Sequence, residues 1–316
     1  MTTTSPPRTA NSVMCAAPDG PANEKVLLFS TGNYPSYSTF LNETWVFNGS
    51  TLNWVDLSTS LINANGPLPG RINSVMSYDG YNVMLFGGQG GSSTTGVLDD
   101  MWLWNGTTWS LFSGTVPFGR YNSKAAYLVG TGVVMFGGQN LLYNLLETQI
   151  WNGNTQTWSL LPVANGTGPG ARTGHMMAAN TTEVLLFGGQ GTNNQLNSTW
   201  TFASSTWTKQ APTTVPSVRS GGTMCYDGYG SVFVMFGGHN EYNYLNETWT
   251  YNSGTNNWTF QPQANGVGPA GLIGAQMCFD TISNRTILFG GVSATTNYPS
   301  NQTWSYNSVS NVLTQL

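Results

Sequence analysis

Charged side chains are scarce in this chain of 316 residues. They make up 7% of the sequence and give a formal net charge of −4, whereas an ordinary soluble domain contains about 25% charged residues. The chain therefore lacks the basic surface that nucleic acids and anionic membranes require, and we exclude both as partners. Its solubility has to come from Asn, Thr, Ser and Gln.

Histidines and cysteines are also few. Two histidines cannot form a three-histidine zinc site, and three cysteines do not form a disulfide framework. Each cysteine follows a methionine at an equivalent point of the sequence, in the pairs Met14-Cys15, Met224-Cys225 and Met277-Cys278. We expect three buried, unpaired thiols, and the alternative is a reactive or paired thiol.

Long apolar runs and targeting signals are missing as well. No apolar stretch approaches the roughly 18 residues of a membrane span, so we expect no membrane insertion. The first residues, Met1 to Pro7, lack the apolar core of a signal peptide. The chain is therefore expected either to avoid that route of secretion or to have lost a leader already.

Glycine and aromatic residues are abundant, with 39 Gly, 12 Trp and 14 Tyr, which favours compact β structure with many turns. An apolar run that ends in phenylalanine recurs six times, at a spacing of about 50 residues. Its phenylalanines are Phe29, Phe86, Phe136, Phe187, Phe236 and Phe289. Six internal repeats therefore organise the chain.

Each repeat predicts four short strands and no helix. The first strand follows a recurring arginine, for which Leu272 stands in the sixth copy; the arginines are Arg8, Arg71, Arg120, Arg172 and Arg219. Small residues come next, including Gly174, Gly221, Gly222, Gly274 and Ala275. They indicate that the first strands crowd around a common axis, where larger side chains would collide.

The remaining strands carry equally regular marks. Five copies end the second strand with paired glycines, and Ser30-Thr31 replaces the pair in the first copy; the pairs are Gly87-Gly88, Gly137-Gly138, Gly188-Gly189, Gly237-Gly238 and Gly290-Gly291. A sequence such as Leu245 to Trp249 marks the start of the third strand, in which Trp, Phe or Tyr alternates with Thr, Val or Ser. The fourth strand begins at a tryptophan, with Val312 in the sixth copy.

Together, the arginine, the glycine pair, the aromatic third strand and the later tryptophan resemble kelch repeats over nearly the whole chain. The resemblance implies an all-β fold, a six-bladed β-propeller of four-stranded antiparallel blades in one domain, 1–316. The approximate blades are 8–60, 71–113, 120–163, 172–212, 219–262 and 272–316. We expect the first and last blades to meet through their faces, and Thr2 to Thr4 could add ladder bonds.

The resemblance also implies a ligand site, because loops after the glycine pair line the channel mouth in similar proteins. Position by position, the mouth residues are Gln89, Gln139, Gln190, His239, Tyr121, Thr173, Tyr143, Glu241, Tyr242 and Tyr244. Aromatic rings beside amides suit a sugar or a protein partner. The alternative is that these are ordinary solvated loop residues. His175 is expected to be a packed first-strand residue.

Enzymatic chemistry finds little support in the sequence. There is no Gly-x-Ser-x-Gly elbow, Cys-x-x-Cys pair or phosphate loop. Some kelch-like propellers are copper oxidases or mutarotases; His175 and His239 do not suggest such a copper site, and a mutarotase-like site would need Arg120 or Arg172 with Glu241. We therefore predict no catalytic residue, no metal and no cofactor.

The sequence thus predicts a non-catalytic binding or structural surface module with a protein or glycan ligand at the channel mouth. The alternatives are a carbohydrate-active enzyme and a purely architectural part of a larger surface or virion assembly. The polar, weakly charged surface favours an extracellular, cell-surface or virion location. Possible N-glycosylation sites outside the repeat signature include Asn48, Asn105, Asn165 and Asn180.

Overall fold

A computed structural model describes residues 5–17, 26–30, 41–58, 68–90, 96–162, 167–263 and 266–316. These residues form 28 β-strands and contain no α-helix. Accordingly, no helix in the described part of the chain could cross a membrane. Thr2 to Thr4, Thr31 and Asn165 lie outside the described residues.

Six antiparallel sheets of four strands make up the fold. From the axis outward, the blades are β1 Val13–Ala16, β2 Val26–Ser30, β3 Glu43–Asn48 and β4 Asn53–Asp56; β6 Val75–Tyr78, β7 Val83–Phe86, β9 Met101–Trp104 and β10 Trp109–Leu111; β11 Lys124–Leu128, β12 Gly132–Phe136, β13 Thr148–Asn152 and β14 Thr157–Leu161; β15 Met176–Ala179, β16 Val184–Phe187, β17 Thr199–Ala203 and β18 Thr206–Lys209; β19 Thr223–Asp227, β20 Val232–Phe236, β21 Thr248–Asn252 and β22 Asn257–Gln261; and β24 Gln276–Asp280, β25 Arg285–Phe289, β27 Thr303–Asn307 and β28 Val312–Gln315. Two small ladders pair β5 Arg71–Ile72 with β8 Gln89–Gly90 and β23 Leu272–Ile273 with β26 Val292–Ser293.

The innermost strands close into a ring. Each of β1, β6, β11, β15, β19 and β24 contacts the innermost strand of both neighbouring blades, and β24 contacts β1. Both faces of every blade are therefore covered, which is why the second strands are continuous apolar runs. The predicted all-β, six-bladed propeller is confirmed.

Six backbone hydrogen bonds encircle the axis where the innermost strands begin. In this hydrogen-bonded ring each N–H donates to the carbonyl of the preceding blade, over 2.8–3.1 Å, and the members are Asn11, Asn73, Asn122, Gly174, Gly221 and Gly274. All six have positive φ, between 54° and 70°. Glycine and asparagine tolerate that conformation best, so the small residues predicted near the axis do lie there.

Neighbouring blades pack through an aromatic contact. The phenylalanine that ends a second strand contacts the tryptophan of the next blade's fourth strand, as in Phe187–Trp258, where the ring centroids are 4.9 Å apart. The indole N–H of that tryptophan donates to a threonine at the start of a third strand, for example Trp207 to Thr148 at 2.9 Å. Large apolar area and one satisfied polar group are thus buried together.

The junction between the first and last blades is built like the others. The ring centroids of Trp54 and Phe289 are 5.2 Å apart, and the Trp54 indole N–H donates to the Thr303 hydroxyl at 2.9 Å. Backbone hydrogen bonds join the two blades as well, including Gly291 N to the Thr9 carbonyl. The expectation that these blades meet through their faces alone was therefore incomplete.

Two predicted alignments are wrong by one residue. Glycine pairs donate to the carbonyl of the next blade's repeat arginine, and in the first blade that acceptor is Thr9, which is buried, whereas Arg8 is exposed. In the last blade, Leu313 pairs with Tyr306 as Trp258 pairs with Tyr251, so Leu313 takes the tryptophan position instead of Val312. The first shift was hidden because the first blade has one extra residue before its innermost strand. The second was hidden because the last blade has no tryptophan at this position.

We expect Thr303→Val to cost about 1–3 kcal/mol of unfolding free energy, because it leaves the buried Trp54 N–H without an acceptor. Thr148→Val, at an internal blade junction, is the matched variant and should cost a similar amount. Urea denaturation of both proteins measures the difference. If Thr148→Val lowers the free energy of unfolding and Thr303→Val does not, the junction between the last and first blades does not form as described.

Candidate functional site

Buried arginines hold the face of the propeller that carries the glycine pairs. Arg71 forms a two-pronged ion pair with Asp100, with both N–O distances 2.6 Å, and its Nη1 also donates to the Gly87 carbonyl at 3.1 Å. Burial alone would raise the pKa of Asp100, but the hydrogen bonds and charge of Arg71 outweigh it and lower that pKa. Arg120 pairs with Glu147 and Arg219 with Glu247.

The fourth blade departs from this scheme. Arg172 is buried, yet the carboxylate position holds Ser198, whose hydroxyl accepts from Nη1 at 3.1 Å. Burial lowers the pKa of Arg172 to about 10. Because Arg120 and Arg172 are both enclosed and engaged, neither guanidinium is available for the mutarotase-like site with Glu241.

Glycine pairs connect the second to sixth blades, each to the blade that follows it. The second glycine donates its N–H to the backbone carbonyl at the repeat-arginine position of the following blade, as Gly138 does to Arg172 at 2.9 Å. A Cβ on Gly137 would lie 2.7 Å from that carbonyl oxygen, and the φ of Gly137 is +61°. Close backbone approach and positive φ thus explain why two glycines recur here.

The predicted polar series surrounds the hydrogen-bonded ring on this face. Gln89, Gln139, Gln190 and His239 are half-buried, and each pairs through its backbone with the residue after the repeat arginine. These partners are Ile72, Tyr121, Thr173 and Ser220.

Several of their side chains are already engaged. The Gln139 amide donates to the Tyr121 hydroxyl, and Gln190 Nε2 donates to the Gly191 carbonyl at 3.2 Å. His239 lies against Tyr244, with centroids 6.4 Å apart. The structure therefore gathers the series around the axis, but the six ring N–H donors are already satisfied.

The predicted loop aromatics do not all converge on the axis. Tyr143 lines a cavity of about 520 Å³ between the second and third blades, and neither His239 nor Tyr242 lines it. Glu241 and Tyr242 lie exposed at the tip of the fifth blade's loop, where Asn240 Oδ1 accepts from two backbone N–H groups. Asn140 builds the equivalent loop of the third blade in the same way.

Sequence reasoning missed the apolar side chains around that cavity. Phe118 and Leu142 are each 84% exposed, Leu141 is 66% exposed and Tyr143 is 62% exposed. We call this cavity and its rim of Phe118, Leu141, Leu142 and Tyr143 the blade 2–3 groove. In the sequence, the groove was indicated only by Leu141 and Leu142, which occupy loop positions where the fourth and fifth blades carry polar residues or Tyr242.

The cysteines and His175 are buried. All three cysteines are free and buried, as predicted, and burial raises the pKa of Cys15 to about 12. His175 is fully buried against Phe136, and burial together with the charges of Arg172 and Lys124 lowers its pKa well below the usual value. No group of three or more His, Cys, Asp and Glu in the described ranges is arranged to hold a metal ion.

Three of the glycosylation candidates lie on turns. Asn48 and Asn105 are exposed and Asn180 is half-buried, and the side-chain oxygen of each accepts backbone N–H groups of its own turn. Glycosylation at these residues stays a prediction.

Six blades of four antiparallel strands, joined by glycine pairs and buried arginines, define a kelch-like β-propeller. A family model described as the Attractin/LZTR1 beta-propeller matches residues 133–316, and the chain belongs to that family. Comparison with curated proteins gives no match. Propeller domains of this family are binding scaffolds that mediate protein interactions.

We expect Asp100→Asn to cost about 3 kcal/mol at neutral pH, because it leaves the buried Arg71 without its carboxylate. Since folding lowers the pKa of Asp100, its contribution is complete above the unfolded pKa of about 4 and disappears as the pH falls through the folded value. The two proteins should therefore converge in stability in acid.

Denaturant titrations between pH 7 and pH 2 measure this effect. The adjacent Asp99→Asn is the control, because Asp99 is exposed and should change stability by less than about 0.5 kcal/mol. A gap between wild type and Asp100→Asn that stays constant down to pH 2 would contradict the assigned ion pair.

Proposed function

We propose that this propeller is a non-catalytic protein-binding module whose partner docks on the glycine-pair face at the blade 2–3 groove. The observation that supports it best is the exposure of Phe118, Leu141, Leu142 and Tyr143 around one cavity. Clustered apolar side chains of this kind mark interaction sites on soluble proteins. Aromatic residues are also enriched in protein interfaces.

A protein partner accounts for the groove better than a glycan does. Leu141 and Leu142 cannot hydrogen-bond sugar hydroxyls, and their loop carries no amide that faces the cavity except Asn140, whose oxygen is already used by its own turn. The hydrogen-bonded ring also occupies the axis on this face. A partner would therefore lie across the loops, with Gln139 and Tyr121 at the inner edge of its footprint.

Charge adds a preference for the partner's chemistry. Asp99 is exposed at the groove without a described ion-pair partner, and Glu147 keeps about a third of its side chain exposed beside Arg120. A segment with apolar residues and a lysine or arginine would complement both features.

The location outside a cell or on a virion is also a proposal, supported by the polar, weakly charged composition. Glycan mass spectrometry at Asn48 and Asn105 of the natively produced protein tests it.

Panning of a phage-displayed random peptide library against the whole chain tests the docking site. We expect enriched peptides to combine apolar residues with a basic one, and Leu142→Asp to weaken their binding at least tenfold. Val309→Asp is the matched control, because Val309 is also exposed (66%) but lies on a turn of the last blade. Peptides that bind Leu142→Asp as tightly as wild type, or a library without enrichment, would contradict the proposal.

A further inference from the structure

The central channel contains two adjoining chambers below the hydrogen-bonded ring. The inner chamber, of about 60 Å³, is lined by the fourth and fifth residues after the repeat-arginine position of each blade, together with Ser74 and Gly222. The outer chamber, of about 380 Å³, continues from it towards the opposite face and reaches the surface at Val129, which is 60% exposed. The ring caps the inner end, so the channel is accessible from the face opposite the glycine pairs.

Five methionines and one alanine form the boundary between the chambers. They line both cavities, one from each blade: Met14, Met76, Ala125, Met177, Met224 and Met277. Methionine is flexible and polarizable, so such a boundary adapts to an apolar chain passing through it. Ala125 leaves the widest gap, because the other five blades place a longer side chain at this position.

Beyond this boundary the outer chamber is apolar. Its next layer is small, with Cys15, Ala126 and Ala178 among its members, and its rim is aromatic, with Tyr127 and Tyr226. The described residues that line this chamber include no carboxylate and no cation. It therefore offers a surface for a hydrocarbon group and none for a polar one larger than a hydroxyl.

The inner chamber, in contrast, holds one cation. Lys124 lines it at the position where the other blades carry the uncharged residues Val13, Val75, Met176, Thr223 and Gln276. It forms no ion pair or hydrogen bond with a described residue. Ser74 lines the same chamber, is 4% exposed, and its hydroxyl has no described hydrogen-bond partner. A cation without a counter-ion and an unpaired buried hydroxyl in one small chamber are unfavourable unless an anion occupies that chamber.

We propose that the channel binds an amphipathic monocarboxylate, such as a medium-chain fatty acid, with its carboxylate at Lys124 and Ser74 and its hydrocarbon tail across the methionine boundary in the outer chamber. A single cation matches a single negative charge, and the small inner chamber excludes a bulky head group. Thr223 and Gln276 line the same chamber and add polar groups for the carboxylate. This site is separate from the blade 2–3 groove and does not depend on protein docking there.

The ionisation of Lys124 agrees with this assignment. Burial lowers its pKa to about 8, so it is still mainly protonated at neutral pH. The neighbouring titratable groups are His175, which burial keeps neutral, and Arg172. Neither provides a negative charge, which leaves the counter-ion to a ligand.

Isothermal titration of the whole chain with sodium decanoate at pH 7 tests the proposal. We expect one decanoate per chain and at least tenfold weaker binding by Lys124→Met. Lys209→Met, which removes an exposed lysine of β18, should bind as wild type does. Decyltrimethylammonium, with the same tail and the opposite charge, should bind far more weakly than decanoate.

A second variant guards against misfolding of Lys124→Met. Ala125→Met introduces the residue that five blades already carry, so the fold should persist while the passage narrows and decanoate binding weakens. Decanoate that fails to bind, that binds Lys124→Met unchanged, or that binds no better than decyltrimethylammonium would overturn the proposal. Leu142→Asp should leave decanoate binding intact, which separates this result from that for the groove.

Discussion

The hydrogen-bonded ring is the constraint on which the rest of the propeller depends. It fixes where every innermost strand begins, and it requires positive φ at six equivalent positions, which here are three asparagines followed by three glycines. The residues before and after it are placed as a consequence. The buried arginine or its substitute lies outside the ring, and the glycine pair of the preceding blade donates to that residue's carbonyl. Each blade is thus held to its neighbour by backbone atoms that any sequence supplies, and the side chains mainly have to permit the geometry.

Much of this fold could be predicted from the sequence because the constraint recurs. A glycine pair, a buried arginine and a tryptophan each meet the same surroundings in nearly every blade, so repetition makes their roles visible. Prediction was wrong where the repetition is imperfect. Thr9 replaces an arginine beside a real arginine, Arg8, and Leu313 replaces a tryptophan beside another apolar residue, Val312. In both places the residue that fits the sequence pattern is the chain neighbour of the residue that makes the contact.

The candidate sites were harder to predict, because they lie where single blades differ from the pattern. The polar series of Gln139 and its equivalents was placed on the correct face, but sequence alone could not show that side chains such as Gln139 and Gln190 are hydrogen-bonded to groups of their own blade. Nor could it show that the ring closes the axis there. Leu141 and Leu142 resemble core residues in composition, and only the fold reveals that they face solvent. Lys124 is one substitution in an otherwise uncharged layer, and its meaning depends on five other residues that are distant in sequence and adjacent around the channel.

The six bonds of the ring also circulate in one sense, each blade donating to the one before it. Their components in the plane of the ring therefore follow one another around a closed loop and sum to zero, unlike the dipoles of a helix, which add up towards its ends. These in-plane components consequently contribute little electric field to the chamber beneath the ring. The potential felt by a small ion there is set by side chains, so a change at one position of one blade suffices to reverse its sign.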